Sequence, residues 1–526
     1  MLETFGPFLL EAGVLVLAAL AAIYIYIKSS FSYWTKLGIP VYKPVVPFGN
    51  FGPIIMKNTG VLPEITKLYK AFEGHRLGGL YGFGYKFLLV REPDLIRDII
   101  VKDFIHFHDR GVFMSEGGDP LDLHLFSMTG AKWRKLRVKL TPTFTSGKMK
   151  MMFGTLVDCG KGLNAVLQKS AKMGETLEVK DILARFSTDV IASCAFGIQC
   201  NCLRNPNAEF RTWGRKVFET TFKTKIFRLL NIIIPGFIKY FGLSLIPSDV
   251  SNYFRKMVRE TVDYRERNGI QRNDFMHLLI QLKNKTMTTT DEDAFKCGHS
   301  ELDAEDSKEF EITMDVIAAQ AFVFFIAGFE TSSTTMTFCL YELALNPDIQ
   351  ERLRAEIDTV LEKHDGNISY ESISEMEYLD KVVSETLRKY PPVQALVRMC
   401  TKPYRIPGTN ATLEKGIRVF VPIMGLHHDQ KYYPDPERFD PERFSDKEKS
   451  KRPQYSYLPF GEGPRICIGM RFGLMQTKVG LVSLLSNYEF RVSEKTPEKV
   501  VMDPRSFILS PLGGLYLKIT DRSDRM

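Results

Sequence analysis

The chain has 526 residues, of which 44% are hydrophobic and 25% charged, and its formal net charge is +8. This composition is typical of a globular protein and excludes an intrinsically disordered chain. The positive charge is compatible with an acidic partner surface or anionic lipid but is too diffuse to prove either, and no nucleic-acid partner is expected.

The N-terminal segment is apolar for long enough to span a bilayer. Residues 12–27 are apolar without interruption, and residues 5–10 extend the run. No Lys or Arg precedes it, whereas Lys28, Lys36 and Lys43 follow. This charge bias predicts a transmembrane signal anchor over residues 1–30 that leaves the bulk of the protein in the cytosol.

A cleaved signal peptide is the alternative, because Ala19-Leu20-Ala21 resembles a cleavage site. The absence of a basic start and the continuation of the apolar run past this site favour the anchor. Pro40, Pro44 and Pro47 then predict a stiff Pro-rich hinge over residues 31–50, and residues 51–526 form the remaining body.

The eight cysteines are sparse and show no disulfide spacing, which also favours the cytosol. Cys200 and Cys202 have the spacing of half a metal site, but no second Cys or His pair stands at zinc spacing, which favours two ordinary thiols. Three Asn-x-Ser/Thr sequons begin at Asn284, Asn367 and Asn410. With this topology, none of the three is expected to carry sugar.

A basic helical pattern contains Trp133 and Arg137. Residues four apart share one face of a helix, so both side chains can reach one anionic ligand group. The alternative is a solvated basic face, which suits Lys132, Lys135 and Lys139 better. Those lysines also suit the docking of an acidic partner surface.

Short β-like runs such as Lys86 to Val90 come before this region, and helical patterns dominate to about residue 400. The longest pattern covers residues 310–345 and is ended by Asn346-Pro347. Its centre is apolar on every side, so we expect it to be buried. Residues 283–311 before it are polar and predict a surface loop.

Within this helix, the segment Ala327-Gly328-Phe329-Glu330-Thr331-Ser332 breaks local rules. Gly328 costs about 1 kcal/mol against alanine, and a buried Glu330 costs more unless it has a use. One interpretation is a kinked core helix whose hydroxyls bond back to the preceding turn. The other is a functional site in which Gly328 gives a ligand room, while Glu330 and Thr331 relay protons.

Glu385 and Arg388 form an E-x-x-R pair, a spacing that also occurs elsewhere in this chain and is typical of ordinary helix partners. Two Pro-Glu-Arg-Phe sequences follow, at residues 436–439 and 441–444. The second lies nearer to the cysteine described next.

The segment Phe460-Gly461-Glu462-Gly463-Pro464-Arg465-Ile466-Cys467-Ile468-Gly469 is suited to a thiolate ligand. Gly463 and Gly469 allow tight turns, Phe460 can shield the sulfur and Arg465 can meet an acid. A helical pattern over residues 470–479 adds the positive end of a helix dipole. The alternative is a buried apolar cysteine.

This segment has the form F-x-x-G-x-R-x-C-x-G and resembles the cysteine motif of cytochrome P450 proteins. The 327–332 segment is similar to their (A/G)-G-x-(D/E)-T-(T/S) motif, and the E-x-x-R and P-E-R-F sequences match as well. The resemblance implies a mainly α fold with a small β-rich subdomain, behind an N-terminal transmembrane anchor. It also implies one haem-binding monooxygenase domain over residues 51–526, although length alone suggests about three domains.

The resemblance implies that Cys467 is the axial ligand of haem b, that Glu330 and Thr331 deliver protons, and that Arg443 bonds to Glu385 and Arg388. Electrons would come from NADPH through a reductase, with cytochrome b5 as a second donor. The other cofactor-binding residues that it implies are Trp133, Arg137, Arg398 and Arg465 at the propionates, Phe460 and Gly328.

A finer resemblance, to insect microsomal detoxifying members of clan 3, family six, covers most of the chain. It implies an endoplasmic reticulum membrane protein that hydroxylates or epoxidises lipophilic compounds such as plant toxins or insecticides. Endogenous lipids or hormones fit equally well. A ligand-carrying haem protein and a peroxide-rearranging enzyme are further alternatives, which Glu330 and Thr331 disfavour. The implied pocket walls are residues 107–126, Phe322, Phe325, Ala395, Leu396 and Leu509, and the apolar stretch 226–246 would enter the membrane near the substrate entrance.

Overall fold

The computed structural model describes residues 2–52, 60–82, 85–111, 118–217, 219, 226, 230, 240, 241, 243–285, 310–504 and 506–522. Most of this part of the chain is α-helical, as predicted. The α-helices are α1 (Leu2–Ser30), α2 (Tyr33–Lys36), α3 (Val61–Ala71), α4 (Pro93–Arg97), α5 (Gly130–Leu140), α6 (Ser146–Lys172), α7 (Val179–Ile191), α8 (Glu209–Lys216), α9 (Ser248–Asn268), α10 (Phe275–Lys283), α11 (Met314–Leu345), α12 (Pro347–Lys363), α13 (Tyr370–Glu375), α14 (Glu377–Lys389), α15 (Ile423–His427), α16 (Asp446–Lys449) and α17 (Met470–Leu485).

The β-strands are short and lie mainly in two sheets. They are β1 (Leu77–Gly82), β2 (Tyr85–Val90), β3 (Thr176–Glu178), β4 (Leu396–Met399), β5 (Tyr404–Arg405), β6 (Thr412–Leu413), β7 (Arg418–Val421), β8 (Tyr488–Arg491) and β9 (Tyr516–Asp521). Turns of 3₁₀- or π-helix occupy Asp98–Lys102, Phe104–His106, Pro120–Asp122, Thr141–Phe144, Ala192–Phe196, Pro441–Phe444 and Gln454–Ser456.

Contacts between residues divide the chain into two compact units, a division that the sequence motifs do not indicate. The first unit comprises residues 1–111 and 395–425. It contains a sheet of order β1-β2-β7-β4, in which β2 and β7 are parallel and the other neighbours antiparallel. Strands from distant parts of the chain therefore meet in the small β-rich part that the sequence predicts.

The core of the first unit is rich in aromatic side chains. Tyr69 and Phe72 pack with Phe87 of β2 and Phe420 of β7 in one buried cluster. Trp34 is fully buried, and its Nε1 donates to the Leu80 carbonyl oxygen at 3.0 Å. The chain just after α1 is thereby attached to the sheet.

The second unit comprises residues 112–394 and 426–526 and is built around α11. Helices α7, α9, α14 and α17 pack against α11, and α17 also packs against α6. Side chains of α11 are buried from Val316 to Ala344 along most of its length, as its apolar pattern predicts. Strands β3, β9 and β8 form an antiparallel sheet in this unit.

The helix α11 begins later than the pattern predicts and ends where it predicts. Its first residue is Met314, because the Thr313 side chain accepts a hydrogen bond from the Val316 N–H and caps the helix. Its last residue is Leu345, where Asn346 takes up a non-helical conformation before Pro347.

The helix α1 contains the whole N-terminal apolar run. Ile25 and Tyr26 on this helix are 64% and 75% exposed, so they take no part in the core. In the described part of the chain, two helical stretches are long and apolar enough to cross a membrane, residues 13–36 and α11. Half of the most apolar part of α11 is buried inside the protein, as in the core helix of a globular protein.

Two predicted features lie largely outside the described residues. They are the apolar stretch within residues 226–246 and the polar stretch from residue 283 to residue 311. Residues 112–117 of the predicted pocket loop also lie outside them.

Candidate functional site

Cys467 lies at the end of a tight loop that leads into α17. Gly461 and Gly463 in this loop have φ angles of 69° and 75°, which residues with a Cβ rarely adopt. The Cys467 N–H donates to the Phe460 carbonyl oxygen at 3.0 Å and closes the loop. The helix α17 follows at once and ends at Leu485, so it is longer than the predicted pattern.

Gly469 does not have the turning role that the sequence suggests. It is the N-cap of α17 with φ −88°, a conformation open to any residue. Gly461, rather than Gly469, is the partner of Gly463 in turning the chain, since both have positive φ.

Cys467 is exposed, whereas the other cysteines of the described residues are buried or half-buried. Burial raises the pKa of the Cys159 and Cys339 thiols to about 12. Thiols held in this way stay protonated and inert. A ligand can therefore reach the sulfur of Cys467, which is not the buried apolar cysteine of the alternative interpretation.

Three of the predicted cofactor-binding residues come together beside this loop. Trp133, Arg137 and Arg465 are all buried. The Arg465 guanidinium carbon lies 3.8 Å from the centroid of the Trp133 ring, and its Nη2 donates to the Met128 carbonyl oxygen at 3.0 Å. Stacking and hydrogen bonding thus fix the Arg465 side chain close to the cysteine loop.

The surroundings of Arg137 suit a bound anion. Burial lowers its pKa to about 10, and the charge of the nearby Cys467 acts in the opposite direction. Its buried Nε has no hydrogen-bond acceptor among the described residues. Because a buried donor without an acceptor costs about 1–3 kcal/mol, and a charged one more, a ligand carboxylate at this place would be stabilising.

Arg398, on β4 of the first unit, resembles Arg137 in its burial and hydrogen bonding. It is 2% exposed, and burial lowers its pKa to about 10. Its Nη1 donates to the Val397 carbonyl oxygen at 2.9 Å, while its Nε has no acceptor in the part of the chain that the structure describes. This guanidinium also suits a carboxylate.

Glu330 on α11 forms an ion pair that the sequence does not indicate. Its Oε1 lies 2.7 Å from Nζ of Lys180, which also donates to the hydroxyls of Ser333 at 3.1 Å and Thr334 at 2.8 Å. Glu330 and Lys180 line a cavity of about 320 Å³, together with Asp181 and Arg211 among others. The Glu330 carboxylate is therefore paired with Lys180 and shares its cavity with other charged side chains.

Thr331 and Gly328 have contacts that agree with the structural interpretation of this segment. The Thr331 hydroxyl donates to the Ala327 carbonyl oxygen at 2.5 Å, in the preceding turn. A Cβ on Gly328 would lie 2.4 Å from Cδ1 of Ile191, so the glycine lets α11 approach α7. The contact gives Gly328 a packing role, and its role toward a ligand stays a prediction.

The pair Glu385 and Arg388 is fully buried. Its partner is the second P-E-R-F sequence, residues 441–444, as the sequence favours. Arg388 donates to Glu385 through Nε at 2.7 Å and Nη2 at 2.8 Å. Arg443 approaches the same carboxylate with its Nε at 3.5 Å, and the Asp440 N–H donates to it at 2.9 Å. Arg438 of the earlier P-E-R-F contributes only its carbonyl oxygen, to Arg388.

His427 connects this network to the chain before the cysteine loop, and the sequence analysis missed it. Its Nε2 accepts from the Leu458 N–H at 2.9 Å, and its Nδ1 lies 3.2 Å from the Arg388 carbonyl oxygen, to which it donates. Burial holds its pKa well below the ordinary value, so the ring is neutral. No motif surrounds this histidine that would have indicated the role.

The residues predicted to form the pocket walls lie in different parts of the structure and make different contacts. Phe322 and Phe325 are buried and pack with Phe254 of α9, as core residues do. Leu509 is held by its backbone, which bonds to the Pro392 carbonyl at 3.0 Å and the Thr334 hydroxyl at 3.2 Å. Ala395 packs against the core of the first unit, and Leu396 opens β4.

Comparison with known proteins identifies the class to which this fold and site belong. A family model for cytochrome P450 matches residues 42–517. The chain is 44% identical to the protein named probable cytochrome P450 6a14 of Drosophila melanogaster, over 93% of this chain and 95% of that one. It is 42% identical to cytochrome P450 6k1 of Blattella germanica, over 98% of each, and 41% identical to cytochrome P450 6a2 of Drosophila melanogaster, over 96% and 99%.

These matches define an enzyme of the haem–thiolate monooxygenase class. The chain belongs to the cytochrome P450 family, and it is similar to insect members of family six along nearly its whole length. Members of the family bind haem and receive electrons that originate from NADPH through a reductase. The exposed thiol and the buried arginines fit such a cofactor, because haem carries one iron for the sulfur and two propionates for the guanidinium groups.

Proposed function

We propose that Cys467 is the axial thiolate ligand of haem b and that the enzyme oxygenates lipophilic small molecules. Haem, when bound, supplies the activation of dioxygen and the transfer of one oxygen atom to the substrate. The exposed Cys467 thiol in its closed loop is the observation that carries the proposal. Phe460, whose carbonyl oxygen closes that loop, would cover the sulfur.

The buried cations would bind the propionates. Arg137 and Arg398 each carry a buried Nε without an acceptor in the described residues, and this supports an anionic ligand at both. Trp133 and the stacked Arg465 would complete the binding site. Arg137, Trp133 and Arg465, which belong to the same unit as Cys467, would set the orientation of the cofactor relative to it.

Glu330 and Thr331 would hold and pass the protons that oxygen activation consumes. The cavity beside Glu330, which Lys180, Asp181 and Arg211 also line, supports this role, because it leaves room for water next to the carboxylate. Gly328 would let a ligand approach α11, in addition to its contact with Ile191.

The ligand assignment is tested by the spectrum of the reduced protein with carbon monoxide. We expect the thiolate-specific absorption in the wild type and its loss in Cys467→Ala. Cys159→Ala is the control, since Cys159 is a half-buried cysteine with a raised pKa whose loss should leave the spectrum unchanged. A Cys467→Ala spectrum like that of the wild type would remove the ligand proposal.

The substrate class that we propose is xenobiotic, such as plant toxins or insecticides, and it rests on the similarity to insect family-six proteins. Endogenous lipids or hormones are the alternative. A binding-spectrum screen of a compound library that contains both kinds should find hits among the xenobiotics. Binding confined to endogenous compounds would reverse the assignment.

We also propose that residues 1–30 anchor the enzyme in the endoplasmic reticulum membrane, that residues 31–50 form a hinge and that residues 51–526 form a cytosolic catalytic domain. The apolar helix α1 supports this arrangement. The exposed Lys132 on α5, with Lys135 and Lys139, would dock NADPH–cytochrome P450 reductase, with cytochrome b5 as a possible second donor. Sugar on Asn284, Asn367 or Asn410 would show the opposite orientation.

A further inference from the structure

Gln320 on α11 is a fully buried polar residue that the site described above does not use. Its Oε1 accepts from the Leu125 N–H at 3.0 Å, and its Nε2 donates to the Leu123 carbonyl oxygen at 2.8 Å. The same Nε2 also lies 3.1 Å from the Val316 carbonyl oxygen on its own helix. One side-chain amide thus pairs with both an N–H and a C=O of a segment far away in the sequence.

That segment, residues 118–128, is called the strap here. Gln320 holds its middle, and two further bonds hold its ends. The Asp119 carboxylate accepts from the Ser251 hydroxyl of α9 at 2.7 Å, and the Met128 carbonyl oxygen accepts from Arg465 at 3.0 Å. The strap therefore runs from α9, across α11, to the arginine that stacks on Trp133 beside the Cys467 loop.

Two of the three elements that hold the strap carry the proposed chemistry. The helix α11 carries Glu330 and Thr331, and the cysteine loop carries Arg465 and Cys467. A ligand that filled the space between these two elements would therefore lie near the strap. The polar bonds matter because the strap's own order consists of short turns, a 3₁₀ turn at Pro120–Asp122 and a hydrogen-bonded turn from His124 to Met128.

We propose that Gln320 is a positioning residue that fixes the strap against α11 and thereby sets the fit of larger ligands next to the haem. The effect on ligand fit rests on the proposed role of Cys467 as the haem ligand. The attachment of the strap to α11 depends only on the hydrogen bonds of Gln320. A planar amide suits the task, since it presents one acceptor and one donor in a fixed geometry that pairs with two backbone groups at once.

The chain offers a matched control in Gln350. This glutamine is also buried, and it also pairs with both backbone groups of a distant residue, since Nε2 donates to the Phe490 carbonyl oxygen at 2.9 Å and Oε1 accepts from the Phe490 N–H at 3.0 Å. It holds β8 rather than the strap. Gln320→Met and Gln350→Met remove the same groups from the same kind of network and keep the side-chain length.

Hydrogen exchange of the full-length, haem-loaded protein measures the anchoring. In Gln320→Met we expect the Leu125 amide to exchange roughly tenfold faster, because its acceptor is lost, while the Phe490 amide is unchanged. Gln350→Met should show the reverse pattern. An unchanged Leu125 amide in Gln320→Met would overturn the anchoring claim.

Azole binding measures the effect on ligand fit, through the spectral change that a nitrogen ligand causes at the iron. Imidazole is the small probe, and 4-phenylimidazole carries an additional phenyl ring that would reach toward the strap. We expect Gln320→Met to weaken 4-phenylimidazole binding about fivefold, the factor that corresponds to one ordinary hydrogen bond, and to leave imidazole within about twofold. Gln350→Met should leave both constants unchanged.

The outcomes separate the two proposals. An unaltered ratio of the two azole constants, with faster Leu125 exchange, would refute the effect on ligand fit. Failure of both azoles to bind the wild type would refute the haem–thiolate site, and the exchange experiment would still decide the anchoring. If Gln320→Met does not fold, Gln320→Asn keeps the amide but cannot reach both backbone groups, and it should give the same changes in smaller size.

Discussion

Arg137, a buried arginine near Cys467, differs from other buried arginines of the second unit in how its positive charge is neutralised. Arg388 and Arg265 are paired with carboxylates, Glu385 and Asp274, through two hydrogen bonds each. Arg137 is also buried, yet its Nε has no acceptor in the described part of the chain. Its missing anion is thus best supplied by a ligand, which is the physical argument for a propionate there.

Replacing Arg137 tests this argument. We expect Arg137→Leu to release haem to excess apomyoglobin roughly tenfold to a hundredfold faster, because a charge-assisted hydrogen bond of about 1.5–3 kcal/mol is lost. Lys132→Leu removes a charge from the exposed side of the same helix and should leave the rate of haem loss unchanged. Equal rates for the wild type and Arg137→Leu would remove Arg137 from the cofactor site.

Thr331 and Thr337 allow a similar comparison on α11. Both hydroxyls bond back to the carbonyl four residues earlier, at 2.5 Å and 2.7 Å. We expect Thr331→Ala to bind haem normally but to divert most of the consumed NADPH to hydrogen peroxide, since the proton-holding hydroxyl is gone. Peroxide formed per NADPH is the measurement. Thr337→Ala, which loses the same kind of bond, should keep the coupling of the wild type, and a matching change in both variants would indicate a structural effect only.

At the scale of elements, the sequence predicts those features that depend on local rules or motif spacing. The end of α11 is confirmed at Leu345 because Asn346-Pro347 cannot continue a helix. The start was predicted four residues early, since the pattern did not single out Thr313 as the cap. The ion pair of Glu330 with Lys180 and the bridge by His427 could not be predicted, because each joins residues that only the tertiary fold brings together.

The bridge by His427 should make stability depend on pH. Its folded pKa lies well below the ordinary value of about 6.5, so below that pH the unfolded chain takes up a proton that the folded protein refuses. The contribution of His427 to stability should therefore be constant above about pH 6.5 and fall by about 1.4 kcal/mol per pH unit below it. Protonation would also remove the acceptor for the Leu458 N–H and loosen the chain before the cysteine loop.

Thermal unfolding midpoints of the haem-loaded enzyme between pH 7.5 and pH 5 measure this contribution. We expect the difference between the wild type and His427→Gln to shrink as the pH falls, since only the wild type has a histidine there to protonate. His364→Gln is the control, because His364 pairs with Glu375 at the exposed surface. A wild-type-minus-variant difference that is the same at every pH would contradict the linkage.

At the scale of the whole molecule, the family assignment follows from motifs that lie far apart, and the fold class is confirmed as mostly helical with a small β-rich part. The sequence did not predict two compact units, because residues 395–425 join the first unit through long-range contacts such as the pairing of β7 with β2 and the bond from the Met399 N–H to the Asp109 carbonyl oxygen. Such pairing over a long chain distance has no local signature.

A deletion and a substitution test where the membrane anchor ends and the folded body begins. Ile25 and Tyr26 are exposed in α1, whereas Trp34 is fully buried and bonds to Leu80 and Tyr81. Deleting residues 2–30 should therefore remove membrane binding, measured by flotation with liposomes, and leave the thermal unfolding midpoint within a few degrees. Trp34→Ala should keep membrane binding but lower the free energy of unfolding by about 3–5 kcal/mol, the usual cost of emptying a large buried site. A deletion that destabilises the body as much as Trp34→Ala would place the start of the body within α1.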